Sequence, residues 1–258
     1  MTIVTLTTDF GTRDGYVGEM KGVILDRTPS VRLVDVTHDV PAGDVWDGAW
    51  ALSRVWTRFP PGTVHLAVVD PGVGSERRAA AVRIARRWLV APDNGLLTLA
   101  SGEVEEAREL APDRIGLTPL SDTFHGRDVF APAAAHLAAG EDPGGLGPAL
   151  DAGTLIRLPV PAPAREGDAL RGRVVHVDRF GNLITNLPLE QLPDDPVVEV
   201  GGHEVRGLSR AFAEVARGSP VLIRGSGGTL EVCVREGRAS EALGTGRGDE
   251  VEVRPARA

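Results

Sequence analysis

Val64-His65-Leu66-Ala67-Val68-Val69-Asp70-Pro71-Gly72-Val73-Gly74 is the stretch on which the fold turns. Residues 64–69 are apolar but for His65, last for one short strand, and stop at a carboxylate followed by a Pro-Gly turn. Such a run, without polar alternation, predicts a strand buried on both faces, as in parallel sheets. Asp70 then stands at the carboxyl end of that strand, the edge where open α/β sheets bind ligands.

The pattern extends in both directions. Residues 2–8 are a β-branched run that predicts a first strand, and Val17, Met20 and Ile24 recur at helical spacing behind it. Residues 31–36 predict a second strand. Val45, Ala49, Leu52 and Trp56 trace one face of a helix that stops near Pro60-Pro61. Downstream, residues 79–84 and 88–91 predict two further strands, and residues 127–139 a helix with Phe130, Ala133 and Leu137 inward. The alternation predicts a mostly parallel α/β sandwich with helices on both faces of the sheet.

The texture then changes. Residues 140–147 are rich in Gly and Pro, and prolines recur over residues 159–163, so the helical pattern ends in a linker. Beyond Leu170 come short strands at 172–177, 183–186, 197–200, 220–224, 229–234 and 250–253, separated by glycine turns. This predicts a small antiparallel β-barrel or sandwich. The expected domains are an α/β domain over residues 1–157 and a β-barrel domain over residues 165–258.

Composition bounds the function. Of 258 residues, 42% are hydrophobic and 25% charged, enough for a true core. A net charge of −8 argues against a nucleic acid partner, because the phosphate backbone would be repelled, and 4% aromatics leave few rings for base stacking. No apolar run reaches the roughly 20 residues a membrane helix needs, and the start of the chain reads as a strand rather than a signal peptide. The one cysteine, Cys233, excludes an internal disulfide and fits a reducing cytoplasm.

Polar residues gather at the predicted strand ends: Asp9, Thr37-His38, Asp70, and Asp93-Asn94. Asp-Pro-Gly and Asp-Asn-Gly are each ordinary turn formers, yet four such positions on one edge favour a site. The chain has no phosphate-binding G-x-x-x-x-G-K, no dinucleotide G-x-G-x-x-G after a strand, no nucleophile elbow and no H-E-x-x-H. Histidines 38, 65, 125, 136, 176 and 203 lack zinc spacing; His65 and His176, within strands, read as packing or surface residues, and Cys233 as a buried thiol. The segments running from Val69 to Arg78 and from Thr123 to Phe130 carry a carboxylate, an arginine and a histidine on loops, which by themselves are compatible with an acid–base site but equally with Arg77 as a solvated surface charge.

Five motifs in order sharpen this: Thr8-Asp9-Phe10-Gly11 with Asp14-Gly15; Val68-Val69-Asp70-Pro71-Gly72-Val73-Gly74; Ala91-Pro92-Asp93-Asn94-Gly95-Leu96-Leu97-Thr98; Phe124-His125-Gly126-Arg127-Asp128; and Asp178-Arg179-Phe180-Gly181-Asn182. Together they span nearly the whole chain, which resembles the S-adenosylmethionine hydroxide adenosyltransferases, relatives of fluorinase and chlorinase. The resemblance implies hydrolysis of S-adenosylmethionine to adenosine and methionine, without cofactor or metal. It also implies a homotrimer in which the substrate lies between the N-terminal domain of one subunit and the C-terminal domain of the next.

The resemblance also implies roles. Asp70, Arg77 and His125 match the trio that prepares the attacking water, and Asp9 the aspartate that holds the ribose hydroxyls. Asp178 matches the carboxylate facing the methionine ammonium, Ser226 the hydroxyl near its carboxylate, and Phe180 and Asn182 the adenine contacts. Asn94 and Phe124 join the substrate-binding set. Halogenating relatives carry tyrosine where Asp70 stands, and a carboxylate there repels an incoming halide. Fluorinase also has an insertion where Ala85-Arg86-Arg87-Trp88 joins two strands directly, although Gly126 matches the chlorinase. The alternatives to hydrolysis are therefore chloride transfer, a metal-dependent hydrolase with Asp9, Asp70 and His125 as ligands, and an adenosine-binding module without turnover.

Overall fold

The computed structural model describes residues 2–115 and 120–256, which divide into two compact units, Met1–Leu158 and Pro159–Ala258. The first unit runs β1 (Ile3–Thr8), α1 (Tyr16–Arg27), β2 (Arg32–Thr37), α2 (Val45–Val55), β3 (Val64–Val68), β4 (Ala79–Ile84), β5 (Arg87–Pro92), β6 (Val104–Glu109), the short α3 (Pro112–Ile115) and α4 (Ala131–Ala139). Its sheet has the order β2-β1-β3-β5-β4-β6. Strands β2, β1, β3 and β5 are parallel to one another, whereas β4 is antiparallel to both β5 and β6.

The sheet is thus mixed rather than uniformly parallel, and the cause is local. Only Ala85 and Arg86 separate β4 from β5, and so short a connection permits only antiparallel pairing. Both residues have positive φ, 48° and 60°, as the hairpin turn compatible with strand twist requires. Strand β6 has no strand-like pattern in its sequence, since Val-Glu-Glu-Ala-Arg-Glu looks like a solvated segment. It lies at the sheet edge, where charge suppresses unwanted pairing, and only Ala107 is buried.

Period-two alternation assigns the two faces. Val4, Leu6, Leu66 and Val68 pack with Met20 and Ile24 of α1 and with the alanines of α4. Ala67, Val69 and Leu89 pack with Leu52 and Trp56 on the other face. His65 belongs to this second face. It is buried, bonds Thr5 Oγ1 through Nδ1 at 2.7 Å, and lies 4.7 Å from the Trp56 ring. Burial, then the nearby Arg87 charge, pushes its pKa down to about 4, so it is a neutral packing residue.

The helix expected over residues 127–139 starts differently. Gly126–Phe130 is a π turn, with the Ala131 N–H bonded to the Gly126 carbonyl, and α4 follows. Pro132 has no N–H to offer the Asp128 carbonyl, so an unbroken α ladder is barred and the wider turn takes its place.

The second unit comprises β7 (Ala164–Glu166), β8 (Ala169–Val177), β9 (Leu183–Pro188), β10 (Pro196–Val200), β11 (His203–Arg206), β12 (Leu208–Ser209), β13 (Pro220–Arg224), β14 (Thr229–Val234), α5 (Ala239–Ala242) and β15 (Glu250–Pro255). The order is β11-β10-β15-β8-β9-β14-β13-β12, with β7 on β8; all these pairs are antiparallel except β12 with β13. Because β11 packs against β13, the sheet curls nearly into a barrel around Leu170, Leu183, Val198, Leu222, Val232 and Val253. Cys233 is buried, and burial pushes its thiol up to about 12, outside the reactive range.

Asp93, one of the polar residues at a strand end, proves to be a staple. Its Oδ2 accepts Arg78 Nε at 3.0 Å and Nη2 at 2.6 Å, and its Oδ1 accepts the Ile156 N–H at 2.9 Å. Arg78 also donates to the Thr154 hydroxyl at 3.0 Å, so residues 151–158 are tied to the sheet. Asp93→Ala strands these donors and is expected to lower unfolding free energy by about 2–4 kcal/mol, the upper range being reduced because Arg78 is partly exposed. Denaturant melts of the two proteins measure it, and a loss under about 1 kcal/mol contradicts the staple.

Candidate active site

Strands β1 and β3 are adjacent and in register, with Thr8 opposite Val68, so Asp9 and Asp70 leave the sheet at the same edge. Asn94 follows β5, on the other side of β3, and its Nδ2 donates to the Val69 carbonyl at 2.9 Å. Asn94 therefore fixes the backbone immediately before Asp70. Asp9 accepts the Gly43 N–H on Oδ2 at 2.8 Å, which ties its loop to the start of α2.

From Asp70 the chain turns through residues 71–76 and brings Arg77 back onto it. Arg77 Nε donates to both Asp70 oxygens at 3.0 Å, and Nη2 to Oδ2 at 2.5 Å. Their side chains are only 5% (Asp70) and 11% (Arg77) exposed, so the pair lies in a low-dielectric setting where several aligned hydrogen bonds are needed to offset desolvation. The guanidinium also lies 5.2 Å from the Phe130 ring centroid.

His125 completes the group from a distant part of the sequence. Arg77 Nη2 is 2.8 Å from His125 Nδ1. A guanidinium has only donors, so Nδ1 accepts and the imidazole proton resides on Nε2. Burial and then the Arg77 charge lower the His125 pKa, while Asp70, Asp128 and Asp122 oppose them more weakly. The order in space is thus carboxylate, guanidinium, imidazole. Gly74 permits this meeting: its φ is +76°, and a Cβ there would lie 2.6 Å from the Asp122 carbonyl oxygen. Asp128 braces the second loop by accepting the Ser121 N–H at 2.7 Å and the Arg127 Nε at 2.6 Å.

A pocket of about 270 Å³ opens over the group. Asp70 and His125 give it a polar part, Val68 and Val73 an apolar one, and Phe10, Tyr16 and Phe124 an aromatic wall. The three rings meet edge to face with centroids 5.2–6.1 Å apart. Phe10, Tyr16 and Thr123 were not singled out as site residues from the sequence. The available clue was that Tyr16, the one tyrosine of the chain, follows Asp9-Phe10-Gly11 so closely.

The remaining predicted residues lie in the second unit. Asp178 closes a turn on itself: Oδ1 accepts the Phe180 and Asn182 N–H groups and Oδ2 the Asn182 side chain, all at 2.9 Å. Phe180, at the tip, is 71% exposed. Ser226 lies in the turn between β13 and β14, closed by the Gly228 N–H on the Gly225 carbonyl at 3.0 Å.

A deep acid–base group at the carboxyl edge of an α/β sheet, under an aromatic-walled pocket, defines an enzyme-like site. Comparison with known proteins names its class. The family model described as the SAM hydroxide adenosyltransferase N-terminal domain matches residues 4–147, and the corresponding C-terminal domain model matches residues 172–252. The chain belongs to the SAM hydroxide adenosyltransferase family. It is 46% identical to the (R)-S-adenosyl-L-methionine hydrolase of Thermus thermophilus, over 97% of this chain and 98% of that one. A fluorinase of an Actinoplanes species is 32% identical over 72% and 71% of the two chains. A solved structure of an uncharacterized conserved protein from Thermotoga maritima superposes with a TM-score of 0.89 at 36% identity, over 98% of this chain and 99% of that one.

The geometry makes a direct statement about His125. Its NMR titration midpoint is expected below the ordinary 6.5, and Arg77→Met should move it upward, because a nearby cation disfavours the imidazolium and its removal relieves that. A midpoint unchanged by the substitution contradicts the Arg77 contact.

Proposed function

We propose that the protein hydrolyses S-adenosylmethionine to adenosine and methionine. The observation that carries this reading is the part-buried Asp70–Arg77–His125 group at the pocket, in a chain that belongs to the family. The relatives' names specify the R sulfonium, and we take that diastereomer as the preferred substrate.

The sulfonium is already a good leaving group, so the task is to hold water in line with the C–S bond and to receive its proton. Water oxygen attacks C5′ from the side opposite sulfur; the C–S bond breaks with its electron pair going to sulfur, which becomes the thioether of methionine. The water proton passes to the Asp70 carboxylate and then to solvent. His125, with its proton on Nε2, acts as a donor that orients the water. Arg77 keeps that tautomer and steadies the hydroxide character that develops. Asp9 holds the ribose hydroxyls, with Asn94 and Phe124 beside the substrate. Asp178 faces the ammonium, Ser226 the methionine carboxylate, and Phe180 and Asn182 the adenine.

Other chemistries are less well supported. Arg77 occupies the space between Asp70 and His125, where a metal ion would meet like charge. Among the described residues no group of three or more His, Cys, Asp or Glu is placed to hold one. A carboxylate at position 70 also disfavours chloride as nucleophile. The reaction calls for no cofactor, and the cytoplasm is the compartment that this reading implies; no helix among the described residues is long and apolar enough to cross a membrane.

Incubation in ¹⁸O-water with either sulfonium epimer should place label on the 5′ oxygen of adenosine, faster with the R form. Chloroadenosine as the main product in chloride buffer overturns the reading. Asp70→Asn and His125→Ala should each slow turnover by about a hundredfold or more, and the double variant by far less than the product, since both act on one water.

The homotrimer expected from the resemblance is proposed as the working assembly, with the Asp178 and Ser226 turns supplied by a neighbouring chain. Mixed Asp70→Ala and Asp178→Ala chains should then recover activity, with trimers seen in native mass spectrometry. A fully active monomer would falsify it.

A further inference from the structure

A polar chain runs from the surface residues Lys21 and Asp35 through buried His38 and Thr8 to the Asp9 loop. Lys21 Nζ donates to Asp35 Oδ2 at 2.6 Å, and Asp35 Oδ1 lies 3.1 Å from His38 Nε2, close but off the line of an aligned hydrogen bond. His38 Nδ1 is 2.8 Å from Thr8 Oγ1, and Thr8 Oγ1 accepts the Phe10 N–H at 3.3 Å. Both Thr8 and His38 are buried. The Gly11 N–H also bonds the His38 carbonyl at 2.8 Å.

The direction of each bond follows from its partners. Asp35 Oδ1 is the acidic group nearest His38 Nε2, which assigns the ring proton to Nε2, so Nδ1 is the acceptor and the Thr8 hydroxyl donates to it. Thr8 is thereby left to accept from Phe10. Both hydrogen bonds point the same way, from Phe10 to Thr8 and from Thr8 to His38, an arrangement in which neighbouring hydrogen bonds reinforce one another, while Asp35 faces His38 Nε2 as a nearby charge. A valine at position 8 would fill the strand equally well, so a buried hydroxyl and imidazole here need a reason other than packing.

We infer that His38 is a positioning residue: through Thr8 it sets the loop that presents Asp9 and Phe10 to the substrate. This rests on the proposed reaction, in which Asp9 holds the ribose and Phe10 walls the pocket. An internal comparison separates positioning from packing. Thr5 and His65 form a similar buried pair at 2.7 Å, but within the strands rather than at the loop.

Thr8→Val and His38→Leu are expected to raise KM for S-adenosylmethionine about tenfold with kcat changed less than about threefold, the pattern of lost uniform binding on the scale of one hydrogen bond. His38→Asn, whose amide oxygen can accept the Thr8 hydroxyl, should return KM to near the wild-type value. Hydrogen exchange at residues 9–11 should quicken in the first two variants and recover in the third, and Thr5→Val should alter neither exchange there nor KM. Unchanged KM and exchange in Thr8→Val, or the same KM shift from Thr5→Val, overturns the inference. If the wild type fails to hydrolyse S-adenosylmethionine, the proposed function falls, and exchange at residues 9–11 still decides whether His38 positions the loop. Should His38→Leu not fold, Thr8→Val and His38→Asn carry the test.

Discussion

The side-by-side parallel alignment of β1, β3 and β5 is the constraint from which the site follows. Neighbouring strands lie about 4.8 Å apart, so chain segments leaving their carboxyl ends start within a side chain's reach of one another. Asp9, Asp70 and Asn94 are far apart in sequence and emerge along this one edge. The register of Thr8 with Val68 sets their relative depth. The antiparallel β4 and β6 extend the sheet on the far side of β5 and leave this edge unchanged.

On that edge the chemistry is organised by one cation. Arg77 bonds the Asp70 carboxylate on one side and the His125 imidazole on the other. It holds the carboxylate in place, disfavours the imidazolium and, as a donor to Nδ1, directs the imidazole proton to Nε2. A buried ion pair is weak support for stability, and the proposed hydrolysis gives the pair beneath the pocket its role. The approach of the two loops depends in turn on Gly74, whose positive φ and missing Cβ let the backbone pass the Asp122 carbonyl.

Local closure marks the Asp178 turn of the second unit. Asp178 uses both carboxylate oxygens to brace its own turn, which raises Phe180 into solvent at the tip. A rigid turn with an exposed ring would lose little freedom in the adenine contact proposed for Phe180. The same economy appears at the Asp9 loop, where Thr8, His38 and Gly43 each hold a backbone group in place.

By itself the sequence determined the alternating first half, the buried central strand, the glycine-punctuated second half and the motif set around Asp70, His125 and Asp178. These are local properties: hydrophobic period, turn residues and spacing act over a few positions. The tertiary structure alone decided that β4 reverses, because that depends on a two-residue turn whose backbone angles no periodicity encodes. It alone decided that edge strand β6 forms, because its charged residues pair through backbone rather than side chains. It alone separated Asp93, a staple for residues 151–158, from Asp70, although both follow strands and look alike in sequence. It also inserted Arg77 between Asp70 and His125, and turned His38 toward Thr8. Contacts over such separations depend on where the folded backbone brings the side chains, and that is a property of the packed sheet rather than of any single segment.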